Sequence, residues 1–258
     1  MVTAGKMSCF ILFVMMIVLL QYKMTKAKQG DLPVIRRIAG LEAMEEAVGR
    51  ATELGTPVFY VPGRTEINTA GAAQTIAGLE ILGHVADLTA KYDTELRTAI
   101  AAPNVMPVAE EIVRQAYLKN GKVEAIKPEY VQFLSNEQFA FAAACLNIMH
   151  RERVGAAILV GEFQAESMML VEGAAQAGAI TICGTSRTFQ IPFFVAAADY
   201  TLIGEEMFAG GAYLSKDPVK LGSIAAQDVG KLIGTALILL GAVLATFGST
   251  VVVDILKQ

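Results

Sequence analysis

Residues 184–188 read GTSRT directly after the apolar run AITIC (179–183), and no other stretch gathers as much usable chemistry. A glycine after a strand, two hydroxyls, a cation and a following helix can together hold an anion, because hydroxyls, backbone N–H groups and a guanidinium all donate. Gly184, Thr185, Ser186 and Arg187 are therefore the candidate ligand-binding residues. The same residues also make an ordinary tight turn with a helix cap. GTSRT approaches the nucleophile-elbow pattern GxSxG with Ser186 as nucleophile, yet Thr188 replaces the closing glycine and no histidine follows Ser186 in the chain. A serine-hydrolase triad is accordingly not expected. Glu162 is the candidate acid or base, and Glu162, Glu166, Glu205 and Glu206 could converge on proton transfer or a divalent cation. Acidic residues in a helix's first turn are also stabilised by the helix dipole whatever else they do.

Other familiar chemistries lack their residues. Neither GxGxxG nor GxxxxGK[ST] occurs, so the standard dinucleotide and P-loop fingerprints are missing and the sequence names no cofactor. His84 and His150 belong to no metal-ligand spacing, and no metal site is expected. Cys9, Cys145 and Cys183 form no CxxC and read as small buried hydrophobes in a reducing compartment.

These residues need elements to position them, and amphipathic stretches alternate with short apolar runs through much of the chain, often with glycine between. The pattern predicts helices over 41–55, 69–92, 107–121, 136–152 and 165–178 and a short helix from Pro192, with strands over 57–61, 95–102, 129–134, 155–160, 179–183 and 200–204. Ser135 and Asn136 are expected to cap the fourth helix. Gly210 and Gly211 would weaken any helix through 193–215, an apolar stretch that reads as core or as a subunit contact. Six strands separated by helices imply an α/β fold, a doubly wound, mostly parallel sheet of the Rossmann-like type. Ligands bind such sheets outside the strands' carboxyl ends, which brings in Gly63, Arg64, Asn104, Ser135, Asn136, Gly161, Glu162, residues 184–187, Glu205 and Glu206.

The chain has 258 residues, a net charge of −4, 54% hydrophobic and 18% charged residues, and a mean hydropathy of +0.48. That hydropathy is high for a soluble enzyme, and a pI near 5.3 supplies no basic field for nucleic acid. Residues 232–253 are an uncharged, mostly apolar run long enough to cross a bilayer as a helix, and residues 7–20, extended to Val2–Tyr22 with Lys6 snorkelling, form a second candidate span. A cleaved signal peptide is the alternative for the first run. Lys23, Lys26, Lys28, Arg36 and Arg37 after the first span, and Lys216, Lys220 and Lys231 before the last, place the middle of the chain in the cytoplasm by the positive-inside rule. The expected organisation is an anchor with a basic linker (1–29), a cytoplasmic α/β domain (30–228) and a C-terminal transmembrane helix (229–258). Gly230, Gly234, Gly241, Ala245 and Gly248 share one face of that last helix, a small-residue stripe suited to close helix packing, although glycine is also simply common in membrane helices.

The stretches EEAVGRATELGTPV, TIAGLEILGHVADL, PVAEEIVRQAY, FLSNEQFAFAA, HRERVGAAILVGEFQAESMML, GTSRTFQIPFFVAAADYTLIGEEMFAGGAYLS and LGSIAAQDVGKL resemble a family of prokaryotic membrane-anchored proteins known only as a domain of unknown function. The resemblance covers roughly residues 33–240 and implies the architecture but no activity or catalytic residue. The expected function is a membrane-tethered, homo-oligomeric scaffold or ligand-responsive protein at the cytoplasmic face. The alternative is an enzyme acting on a phosphorylated or nucleotide-like small molecule at the strand ends. The expected partners are the lipid bilayer, further copies of the chain and a small anion, and no nucleic acid.

Overall fold

The structure is a computed structural model that describes residues 7–33 and 36–247. It divides into two compact units, residues 37–214 and the two terminal segments, 1–36 with 215–258.

In the first unit β1 (Val58–Val61), β2 (Leu96–Ile100), β3 (Val131–Phe133), β4 (Ala156–Val160), β5 (Ile180–Thr185) and β6 (Tyr200–Ile203) form one six-stranded sheet in the order β3-β2-β1-β4-β5-β6. Every pairing is parallel, so the sheet expected to be mostly parallel is wholly so. Val58 and Val61 lie opposite Ala156 and Leu159, and strand order reverses at that β1–β4 pair.

Side-chain alternation sends Val58 and Tyr60, Leu96 and Ile100, and Ile158 and Val160 to one face. There they meet α2 (Ala39–Leu54), α3 (Ala72–Tyr92) and α4 (Met106–Lys119). Phe59, Val61, Leu159 and Cys183 point to the other face, against α5 (Gln138–Glu152), α6 (Glu166–Gln176) and α7 (Ile191–Ala197). Strands covered on both faces need no polar alternation, which is why β4 reads AAILV and is buried throughout.

Three local differences from the sequence reading have physical causes. The stretch after β6 is a helix, α8 (Glu205–Ser215), despite Gly210 and Gly211. A Cβ at Gly210 would lie 2.8 Å from Ile81 Cδ1 and one at Gly211 1.7 Å from Glu80 Oε2, so tertiary packing on α3 selects glycine over helix propensity. α5 begins at Gln138 with Glu137 as its N-cap and no side-chain cap; Ser135 Oγ instead accepts the Glu137 N–H at 3.1 Å. β3 is shortened to three residues by a single 3-10 turn over Pro128–Tyr130.

The second unit pairs α1 (Met7–Lys28) with α9 (Pro218–Thr246). Asp217 caps α9, its Oδ1 accepting from Val219 N at 2.7 Å and Lys220 N at 3.3 Å, so the helix starts eleven residues (229 − 218) before the apolar segment's expected boundary. Both helices are long and apolar enough to cross a membrane, and their apolar windows are 6% and 0% buried. Phe13, Val18, Leu232, Ile238 and Leu239 are exposed, as suits a hydrocarbon solvent and not a soluble core.

The pair is antiparallel, since a Cβ on Gly222 would meet Met24 Cα at 2.9 Å and one on Gly230 would meet Met16 Cε at 2.7 Å. Of the expected stripe Gly230 is so engaged. Gly234 has no neighbour within 4 Å of such a Cβ, Gly241 is half-buried, Ala245 is exposed and Gly248 lies outside the described residues. The tight contact runs through Gly222, Ala226 and Gly230, at four-residue spacing in the part of α9 that precedes its apolar run.

Two pairs of substitutions read out these packing differences. Gly222→Val should destabilise the chain in detergent by about 1–3 kcal/mol, because the new side chain meets backbone, whereas Gly234→Val should leave the melting temperature unchanged. Gly49→Ala in α2, where nothing lies within 4 Å, should stabilise by about 0.5–1 kcal/mol, while Gly78→Ala, 2.5 Å from the Val160 carbonyl oxygen, should destabilise strongly.

Candidate functional site

The loops after β1 and β4 meet where strand order reverses, and they meet backbone to backbone. A Cβ on Gly63 (φ +86°) would lie 2.7 Å from Glu162 N, and one on Gly161 would lie 2.5 Å from the Pro62 carbonyl oxygen. Arg64 N donates to the Glu162 carbonyl at 2.9 Å and Gly161 N to the Gly184 carbonyl at 2.9 Å. Two glycines are required here because any side chain would push the loops apart. Gly78 in α3 packs as closely on Val160, and Tyr60 Oη donates to the Gly78 carbonyl at 2.5 Å, so α3 is clamped to the ends of β1 and β4.

This closure determines where Glu162 points. Its carboxylate lies against Gly71, the N-cap of α3, where a Cβ would be only 2.0 Å from Oε2. Gln74 Nε2 donates to the same Oε2 at 3.4 Å, and Arg187 Nη2 donates to Oε1 at 2.5 Å. Glu162 is 8% exposed, and its side chain faces the positive end of α3.

A second pair lies beside the first. Glu166, fully buried in the first turn of α6, accepts from Gln138 Nε2 at 2.5 Å and Gln164 N at 3.0 Å, and Arg64 Nη1 stands 3.7 Å from its Oε1. Arg64 Nη2 also donates to the Asn136 carbonyl at 2.9 Å. Buried Gln190 stitches the floor: its Oε1 accepts from Thr185 Oγ1 at 2.9 Å and Phe163 N at 3.3 Å. Gln74 Oε1 accepts from Ser186 N at 3.3 Å and Thr185 Oγ1 at 3.4 Å. Arg64 Nε, Arg187 Nε, Gln190 Nε2 and Ser167 Oγ are buried with no hydrogen-bond partner among the described residues, so donors outnumber the acceptors they reach.

The GTSRT residues divide in role. Gly184 and Thr185 are the last two residues of β5, not part of a loop. A Cβ on Gly184 would lie 3.1 Å from Val160 Cγ1 and 3.2 Å from Leu202 Cβ, so the glycine serves strand packing. Thr185 is 1% exposed and its Oγ1 accepts from Arg187 N at 3.2 Å; Ser186 and Arg187 form the turn beyond it. Glu162 and Glu166 come together with Arg64 and Arg187, whereas Glu205 and Glu206 stand in the first turn of α8 after the edge strand, where Glu206 Oε2 accepts from Ile203 N at 3.3 Å. Asn104 contacts Asn68 at 3.5 Å, outside this cluster. Among the described residues no three His, Cys, Asp or Glu group to hold a metal ion.

Sequence reasoning missed Gly71, Gln74, Gln138 and Gln190. Gly71 and Gly78, seven apart in a run of helix formers, carried a signal of close approach; the three glutamines carried none.

A family model described as Domain of unknown function (DUF6754) matches residues 1–256. The chain belongs to this family. Neither a curated protein nor a solved structure matches it. The DUF6754 match spans both units, the helix pair and the sheet with its crest. Within this DUF6754 chain Cys145 and Cys183 are buried and free, and burial pushes both thiols far up from their ordinary values.

Three outcomes follow from this geometry. Arg64→Met should cost about 3 kcal/mol, because it strands the wholly buried Glu166. Arg187→Met should cost no more than about 1 kcal/mol, since Arg187 is 42% exposed; chemical denaturation of the full chain in detergent measures both. Maleimide should leave Cys145 and Cys183 unmodified in the folded chain and label both after denaturation, as mass spectrometry of the peptides would show.

Proposed function

We propose that the chain is a membrane-tethered, ligand-responsive protein whose α/β unit binds a small phosphate-like anion at the crest, in exchange for the Glu162 carboxylate. The observation that carries this reading is the placement of Glu162 against the N-cap of α3 and in the grip of Arg187. A helix N-terminus at the point of strand reversal, with a guanidinium and amide donors around it, is a site for negative charge, and here a side chain of the same chain supplies that charge. The surplus donors on Arg64, Arg187 and Gln190 favour a group with more acceptor oxygens than a carboxylate has.

The enzyme alternative asks Glu162 to move a proton. Its two carboxylate oxygens are already engaged by Arg187 and Gln74, which supports a holding role instead. The two apolar helices support the tether, and Lys23, Lys26 and Lys28 at the end of α1 support a cytoplasmic α/β unit. Homo-oligomers built through the small-residue stripe would use the part beyond Gly230, because Met16 of the same chain already meets Gly230.

Thermal melts of the full chain with inorganic phosphate test the proposal. Glu162→Gln keeps the shape over Gly71 and removes the competing charge, so phosphate should raise its melting temperature more than that of the parent. Arg187→Ala should abolish the response in both backgrounds. A ligand at 100 times its dissociation constant adds about 2.7 kcal/mol, well within detection. If phosphate stabilises Glu162→Gln no better than the parent, the exchange does not occur and the reading is wrong.

A further inference from the structure

The helix pair carries a second polar feature, independent of the crest. Lys23 and Lys26, three residues apart on one face of α1, line a cavity of about 110 Å³ together with Asp31, Pro33, Gly222 and Ala225. The cavity lies where α9 approaches the α1 backbone most closely, at Gly222. Lys26 Nζ pairs with Asp31 Oδ2 at 2.5 Å, so a negative group already sits among the lysines.

Size, charge and depth limit what else could sit there. The space holds several waters and hence one phosphate group, but it falls well short of the roughly 300 Å³ and more that enclose a nucleotide-sized ligand. Its cations are ammonium groups, compact point charges that bind phosphate without the planar fork a carboxylate prefers. The unbroken apolar run of α1 ends at Leu20, and Lys23 follows about 4.5 Å further along the helix, with Tyr22 beside it, which is the depth of lipid headgroups when α1 spans a bilayer. A soluble anion would have no reason to be met at that depth, whereas an anionic lipid is concentrated there.

We propose that this cavity is a binding site for the phosphate of an anionic phospholipid, with Lys23 and Lys26 as its cations and Asp31 as the carboxylate that the phosphate displaces. The site requires only the helix pair in a membrane and does not rest on the crest reading. It differs from general attraction of a basic segment to a charged surface in that two lysines of the segment, and not others, carry it.

Native mass spectrometry of the full chain in mild detergent with added phosphatidylglycerol tests this. Lys23→Gln with Lys26→Gln should weaken phosphatidylglycerol binding roughly thirtyfold. The charge-matched control Lys28→Gln with Lys216→Gln, neither of which lines the cavity, should weaken it several-fold less. Asp31→Asn should strengthen binding, an outcome that a merely misfolded variant cannot produce. Inorganic phosphate at the same free concentration should not compete. Equal losses in the two double variants, or no loss in the first, would overturn the site, and competition by inorganic phosphate would reassign it to a soluble anion and overturn the lipid.

Discussion

The contact on which the crest depends is the backbone approach of Gly63 to Gly161 and Glu162. In a doubly wound sheet the reversal of strand order normally leaves a crevice between the first and fourth strands. Here Pro62, Gly63 and Gly161 press together, with Arg64 N donating to the Glu162 carbonyl across the seam. Once the seam is shut, the residue after Gly161 has nowhere to turn except over the start of α3, and that residue is Glu162. Gly71 lacks a Cβ at the place where the carboxylate arrives. Gly63, Gly71 and the distant Gly161 thus serve one purpose, the delivery of a negative charge to a helix N-terminus.

Delivering that charge has an electrostatic consequence. Two carboxylates, Glu162 and Glu166, are buried four residues apart in sequence, and each needs a cation to offset its desolvation. Arg187 comes from the loop after β5 and Arg64 from the loop after β1, so the cluster ties together three strand ends and balances to zero net charge. Such pairs seldom add stability over an apolar core of the same shape; their value lies in specifying one arrangement. The two pairs differ in exposure: Glu166 is sealed, while the Arg187 side of the Glu162 pair reaches solvent.

The elements were legible in the sequence because the strand runs are short, apolar on both faces and punctuated by glycine; AAILV and AITIC admit little else. Glu162, Arg64 and Arg187 were visible as residues at strand ends and Glu166 as a carboxylate that could join them, yet their mutual pairing was not, since it depends on the closed seam and that depends on distances no single sequence states. GTSRT looked like a loop because glycine after an apolar run usually ends a strand; here β5 continues through Gly184 and Thr185, with Gly184 wedged between Val160 and Leu202. The glycine stripe was read from its apolar end, where hydropathy draws attention. The tight helix contact shares Gly230 with that stripe but continues through Ala226 to Gly222, in a segment whose Gln227 and Asp228 disguise it as part of the α/β unit.

The central claim is that Glu162 occupies a place made for a free anion, and a double-mutant cycle between Glu162→Gln and Arg187→Met tests it most directly when run twice, without phosphate and with saturating phosphate. The account predicts a favourable coupling of about 0.5–1 kcal/mol without phosphate, which vanishes or reverses once phosphate replaces the carboxylate. A coupling that is the same in both buffers would contradict it, for it would mean that the ion pair is permanent architecture and the crest holds nothing but itself.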